Sequence, residues 1–190
     1  MNRYHRHLVV AGLLLLAALR TGPGAGAADG AFKEYEVKAT FLFNFAQFVE
    51  WPAGAFASTN APLVIGVIGD DPFGAALEQM AGERVQGRPL LINRGRSLED
   101  VRPCHILFVS KSENPRLGRL LRDLRGLGTL TVGETEPFCL AGGMITFCMT
   151  EKRVRFEINT SATDREKIKL SAKLLSLAKG CGAKSPREGR

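Results

Sequence analysis

LVIGVIG (Leu63 to Gly69) carries no polar side chain in seven residues. Such a run is too short to cross a membrane and too uniformly apolar for a strand with one wet face. Its stable place is a strand covered on both sides, which commits the rest of the chain to supplying helices for two faces of a sheet. RPLLIN, CHILFVS and GTLTVG read as further strands. Helix-like stretches lie between them. In DDPFGAALEQMAG the spacing predicts Asp71 as N-cap and Pro72 at the first helical position, and Asn114-Pro115 opens PRLGRLLRDLRG. Later the pattern changes: GGMITFCMT and RVRFEIN are separated only by Glu151-Lys152, the signature of an antiparallel hairpin. A long helix is expected from about residue 163 to 179. The expected fold is therefore α/β, a single domain with a mixed β-sheet covered by helices and a C-terminal β-hairpin followed by a long helix. With 190 residues there is material for one such core and not comfortably for two.

The first residues do not belong to that core. MNRYHRH, an apolar run of 12 residues and the small-residue stretch TGPGAGAA describe a secretory signal peptide over residues 1–27, with Ala25-Gly26-Ala27 at its end. As a membrane anchor the run is short of the roughly 20 residues a span requires. The expectation is export to the periplasm and a mature domain over residues 28–190, ending in a flexible basic tail from about residue 182. Cleavage removes three Arg and no acid, leaving 23 basic against 19 acidic residues, a charge of +4. Those basic residues are scattered among acids, so nucleic acid is not an expected partner.

EYEVKATFLFNFAQFVEWP (Glu34 to Pro52) holds four of the 11 Phe and the single Trp. Wound at 100° per residue, Val37, Phe41, Leu42, Phe45, Phe48 and Val49 share one arc, with Glu36, Thr40, Gln47 and Glu50 opposite. This is an amphipathic helix with a core face. Phe43 projects among the polar residues, either covered by a neighbouring element or exposed as an anchor for a partner. Trp51, held out of the α region by Pro52, is expected to plug the rim of the core.

Catalytic constellations are hard to assemble from what remains. His105 is the single His after residue 27 and lies in an expected strand, so it reads as structural and no multi-His metal site exists. Asp70-Asp71 after a strand is explained by capping, and GDDPFG lacks the Lys of a phosphate loop. Gly142-Gly143 reads as a tight turn into the following strand. No catalytic residue, metal ligand or cofactor is assigned, and the chain is expected to be a binding protein, not an enzyme.

Four Cys are present, an even count that in an exported chain suggests disulfides. Cys139 and Cys148 are nearest in sequence, and a bridge between them would close a short loop worth roughly 2.5–3 kcal/mol. Cys104 and Cys181 form a second candidate pair by elimination. Arg116, Arg119, Arg122 and Arg125 recur opposite Leu117, Leu120, Leu121 and Leu124: a core stripe backed by a solvated or partner-facing basic surface. In the last helix Leu170, Leu174, Leu175, Leu177 and Ile168 span a wide apolar arc, with Lys169, Lys173 and Ser176 in the polar strip. That helix is sandwiched in the core or shared with a homodimer or partner interface. Phe43, Arg116, Arg119, Arg122, Lys169 and Lys173 are the candidate contact residues.

Taken together and in order, EYEVKATFLFNFAQFVEWP, LVIGVIGDDPFG, CHILFVS, GGMITF, RVRFEIN and KLSAKLLSLA resemble the YfiR/HmsC family. The likeness runs from about Glu34 to Ala178, and its most specific parts are F-x-x-F-V-E-W-P and the GGMI…RFEIN…LSAKLL tail. The resemblance implies a small periplasmic α/β protein that represses an inner-membrane diguanylate cyclase by binding its periplasmic sensor domain. That would lower cyclic di-GMP synthesis and biofilm formation. It also implies an outer-membrane OmpA-like lipoprotein that sequesters the repressor, and disulfides that answer to redox state. Family members pair the Cys opening the CHILFVS strand with one in the first strand, but LVIGVIG has none. The alternative is a periplasmic small-molecule-binding sensory domain, with loops such as GDDPFG at the strand ends holding the ligand.

Overall fold

A computed structural model of the chain describes residues 25–178. All but the last three residues of the expected signal peptide lie outside them, as do Cys181 and the basic tail. The principal sheet has seven strands in the order β3-β4-β2-β5-β6-β7-β8. They are β2 (Leu63–Ile68), β3 (Arg84–Val85), β4 (Arg88–Gly95), β5 (Ile106–Val109), β6 (Leu130–Gly133), β7 (Ile145–Thr150) and β8 (Arg153–Ile158). From β4 to β7 neighbouring strands run parallel, while β3 and β8 pair antiparallel at the two edges. The mixed α/β sheet expected from the sequence is thus present. Every residue of β2, β5 and β6 is buried, as the unbroken apolar runs of β2 and β5 require.

Alternation along these strands divides the core by sheet face. Leu63, Ile65, Val67, Ile106, Phe108, Leu130 and Val132 point to one cluster, which takes in Leu42 and Phe45 of α1 (Ala25–Phe48), Val49 just after it, Leu77 of α2 (Ala75–Glu78), Ala162 of α6 (Thr160–Arg165) and Leu174 of α7 (Ala172–Leu177). Ile68, Leu107 and Val109 point to a second cluster. Val101 of α3 (Leu98–Val101), Leu117, Leu120 and Leu124 in and just after α4 (Leu117–Asp123), and Phe138 of α5 (Glu136–Leu140) cover it. The aromatic helix is therefore a core helix on the first face, where Phe45 stacks on Phe147 at 5.7 Å and meets Phe156 edge-on at 5.0 Å. Among the described residues no helix is long and apolar enough to cross a membrane.

Three local expectations are corrected. Asp71 does not cap a helix: its Oδ1 accepts from Phe73 N at 2.8 Å in a tight turn, and the short α2 begins only after Gly74 at φ 50°. The long C-terminal helix is interrupted. α6 ends before Lys167, which sits at φ 57°, and Lys169–Leu170 forms β9, antiparallel to β1 (Val49–Glu50). Ser171 then starts α7 by accepting from Leu174 N at 3.2 Å. Pairing of Val49 with Leu170 and Glu50 with Lys169 ties the chain's last described segment to the end of α1. The wide apolar arc is thus divided between Ile168 in the connection after α6, Leu170 of β9 and three leucines of α7. Finally, Asn114-Pro115 lies inside a 3-10 turn (Lys111–Arg116) that precedes α4.

Candidate functional site

The contact candidates fall on opposite sides of the sheet. Phe43 of α1 is half-buried against the first cluster, so part of its ring is already covered by the protein itself. Lys173 of α7 lies on the same side with Nζ 5.0 Å from the Phe48 ring centre, a cation–π contact. Lys169 is on β9 beside Glu50 rather than on a helix face. The arginines lie across the sheet on and around α4. Arg116 is engaged by Glu113 and by the carbonyl oxygen of Arg96. Arg119 pairs with Asp123 at 3.6 Å. Arg122 and Arg125 are exposed and, among the described residues, pair with no carboxylate. The basic face is thus narrower than its sequence spacing implies, because two of its four arginines are tied to this chain's own acids.

The end of the sheet where α/β folds ordinarily take ligands is filled. The chain reverses direction across the sheet between β2 and β5, and the crevice beyond their carboxyl ends is the usual ligand position. Here the Ser112 hydroxyl accepts from Asp70 N at 3.0 Å. A Cβ on Gly69 would lie 2.4 Å from that same hydroxyl oxygen. Arg94 pairs with Asp71 at 2.8 Å and Arg96 with Asp70 at 3.1 Å. Among the described residues GDDPFG is therefore held by Ser112, Arg94 and Arg96.

An ionic cluster beside this end was not anticipated. Lys38 is 3 % exposed, with Nζ 2.6 Å from Glu134 Oε2 and 2.5 Å from Glu34 Oε1. The Tyr35 hydroxyl donates to Glu134 at 3.0 Å. Burial and the neighbouring Glu134 carboxylate push the Tyr35 phenol well above its ordinary value. The signal was present in the sequence. Lys38 precedes Leu42, Phe45 and Val49 by 4, 7 and 11 positions, on the stripe that α1 buries, and Glu34 stands one turn before it. Glu134, 96 positions away, could not be found that way.

His105 serves as a strut. Its Nδ1 accepts from Val64 N at 3.0 Å, which places the ring proton on Nε2, where it is donated to Ala55 O at 3.1 Å. Phe56 stacks on the ring at 4.3 Å and Trp51 meets it edge-on at 5.6 Å. Burial lowers the pKa of the imidazole. The ring thus pins the loop after β1 to the start of β2.

The expected cysteine pairing is corrected. Cys139 and Cys104 are free thiols, whereas Cys148 is disulfide-bonded. Cys139 Sγ donates to Glu157 Oε1 at 2.9 Å. Glu157 stands opposite Thr146, whereas Cys148 stands opposite Arg155. The strand geometry puts Cys148 two residues, about 6.5–7 Å, further along the same face, so proximity in sequence did not translate into bridging distance. Cys104 lies in the second cluster, where burial pushes its thiol up to about 11, and it is not half of a disulfide.

A family model described as YfiR/HmsC-like matches residues 35–179, well over half of the chain. The chain belongs to the YfiR/HmsC-like family. Membership supports a regulatory role in diguanylate cyclase signalling in general, in a family that is periplasmic and not known for catalysis. No curated protein matches the chain. The matched span includes Tyr35, Lys38 and α7, and so covers the whole described sheet and every helix but the first ten residues of α1.

Proposed function

We propose that this YfiR/HmsC-like chain is a periplasmic repressor of an inner-membrane diguanylate cyclase, binding the cyclase's periplasmic sensor domain and lowering cyclic di-GMP. The family match over residues 35–179 carries the reading. Two features support a role exercised through surfaces: the usual ligand crevice is closed by Ser112 and its neighbours, and Arg122 is exposed without an acidic partner among the described residues. Repression then requires only that the protein bind the inactive state of the cyclase more tightly than the active one. Moving a two-state equilibrium from 1:99 to 99:1 takes about 5.5 kcal/mol of such preference. Sequestration by an outer-membrane OmpA-like lipoprotein and a homodimeric state belong to the same proposal and rest on the family resemblance.

The test is cellular cyclic di-GMP in a deletion strain and in that strain re-expressing the protein. A rise on deletion that re-expression reverses, and that Arg122→Glu fails to reverse while still accumulating, supports repression through the α4 side of the sheet. An unchanged level in the deletion strain, with the cyclase shown to be expressed, rejects repression.

A further inference from the structure

We propose that a cleft between α4 and α6 is a binding site for a small oxyanion, a carboxylate or phosphoryl group held by Arg125 and Arg165. The cleft, about 50 Å³, is lined by Leu121, Leu124, Arg125, Thr129, Thr131, Gly142 and residues of α6 up to Glu166. It lies at the start of β6, where α4 on one face of the sheet comes near α6 on the other, away from the β2–β5 crevice, and a volume of this order admits a few water-sized groups.

Its charge balance points to an anion. Arg125, Arg165 and Glu166 are the charged residues of the lining, and the Glu166 carboxylate is already engaged. Glu166 Oε2 accepts from Gly126 N at 2.8 Å and from Gly128 N at 3.4 Å, the pair of amides offered by the turn after α4. Arg116 and Arg119 have acids of their own, but among the described residues neither Arg125 nor Arg165 pairs with a carboxylate. Arginine presents a planar fork that matches carboxylate and phosphate oxygens two at a time, so two unpaired forks on one concavity form a recognisable oxyanion clamp.

The floor adds polar and steric terms of the same sense. Thr131, 3 % exposed, accepts from Met144 N at 3.2 Å, which leaves its hydroxyl proton to donate. On the wall, Gly142 stands at φ 92°, and a Cβ there would meet nothing within 4 Å. The glycine is set by its backbone conformation, and the missing side chain keeps that wall low. The site requires nothing of the repressor reading, since its arginines come from α6 and from the end of α4.

The experiment follows backbone amide resonances of Gly142 and Met144 while sodium phosphate and, separately, sodium acetate are added to the purified protein at constant ionic strength. Saturable shifts with one anion are expected, and whichever anion saturates first identifies the phosphoryl or the carboxylate chemistry. Arg125→Ala and Arg165→Ala should each weaken binding about tenfold. Arg119→Ala, on α4 and paired with Asp123, should leave it unchanged. Shifts that grow linearly without saturating, or that fall equally in Arg119→Ala, would show general surface electrostatics only and overturn the site.

Discussion

Lys38 Nζ lies 2.6 Å from Glu134 Oε2, joining the stripe that α1 buries to the residue immediately after β6 across 96 positions of sequence. A lysine this deeply buried is tolerated because carboxylates stand on it, and those carboxylates are tolerated because the lysine is there. Lys38→Met should therefore destabilise the protein by about 3–5 kcal/mol, the usual cost of stranding one half of a buried pair. Adding Glu134→Gln should restore part of that loss. Denaturant unfolding of the two single variants and the double variant measures the coupling, and strict additivity would refute it.

The cysteine assignment predicts a labelling pattern. Unfolded without reductant and alkylated, the protein should carry label on Cys104 and Cys139 and none on Cys148, which should become reactive only after reduction. Peptide mass spectrometry reads this directly. In the folded state both free thiols should react slowly near neutral pH, since burial, the leading cause at each, pushes them up to about 11.

Stability should also depend on pH at both ends of the range. The Cys104 and Cys139 thiols hold their protons more tightly folded than unfolded. Their contribution is complete below the ordinary value of 9.0 and is lost as pH climbs through about 11, with Tyr35 acting in the same direction at higher pH. His105 works at the acid end. Its folded pKa lies below the ordinary 6.5, so its contribution is present above that value and is lost as pH falls through the folded one. Protonating Nδ1 would also break its bond with Val64 N. Melting temperatures across this range should fall on both flanks, and His105→Gln should flatten the fall just below neutrality.

Phe138 accounts for two glycines that lie ten positions apart. A Cβ on Gly133 would come within 2.4 Å of its Cγ, and one on Gly143 within 2.0 Å of its Cε1. Gly143→Ala should cost about 1–3 kcal/mol by overpacking. Combining it with Phe138→Leu should cost less than the two changes added together. Equal costs with and without the shortened side chain would mean that the ring is not what confines Gly143.

In the first helix, truncating the fully buried Phe45 should cost about 3–5 kcal/mol. Phe43→Ala, at a half-buried site, should cost distinctly less. If Phe43 also serves as a docking anchor, that variant should lose affinity for the cyclase's periplasmic domain while its unfolding midpoint stays near that of the parent protein.

What the sequence determined by itself was whatever a local period can encode. The apolar runs of β2 and β5 have one stable environment, and Glu151-Lys152 closes a hairpin with both residues at positive φ, 51° and 60°. The 3.6-residue stripe of α1 selected Leu42 and Phe45 correctly for the core. The contact candidates were legible only as residue types, since spacing could not show that Glu113 and Asp123 already occupy Arg116 and Arg119. Tertiary structure alone decided the rest. It packed Ser112 against Gly69 after β2, cut the last helix into α6, β9 and α7 by pairing Leu170 with Val49, set Cys139 against Glu157 and not Cys148, and set Glu134 against Lys38. Each of these is a meeting of groups far apart in the chain or out of step with its local period. Local periodicity fixes which side of an element is apolar; packing of the whole sheet fixes which partner that side, or a charge beside it, meets.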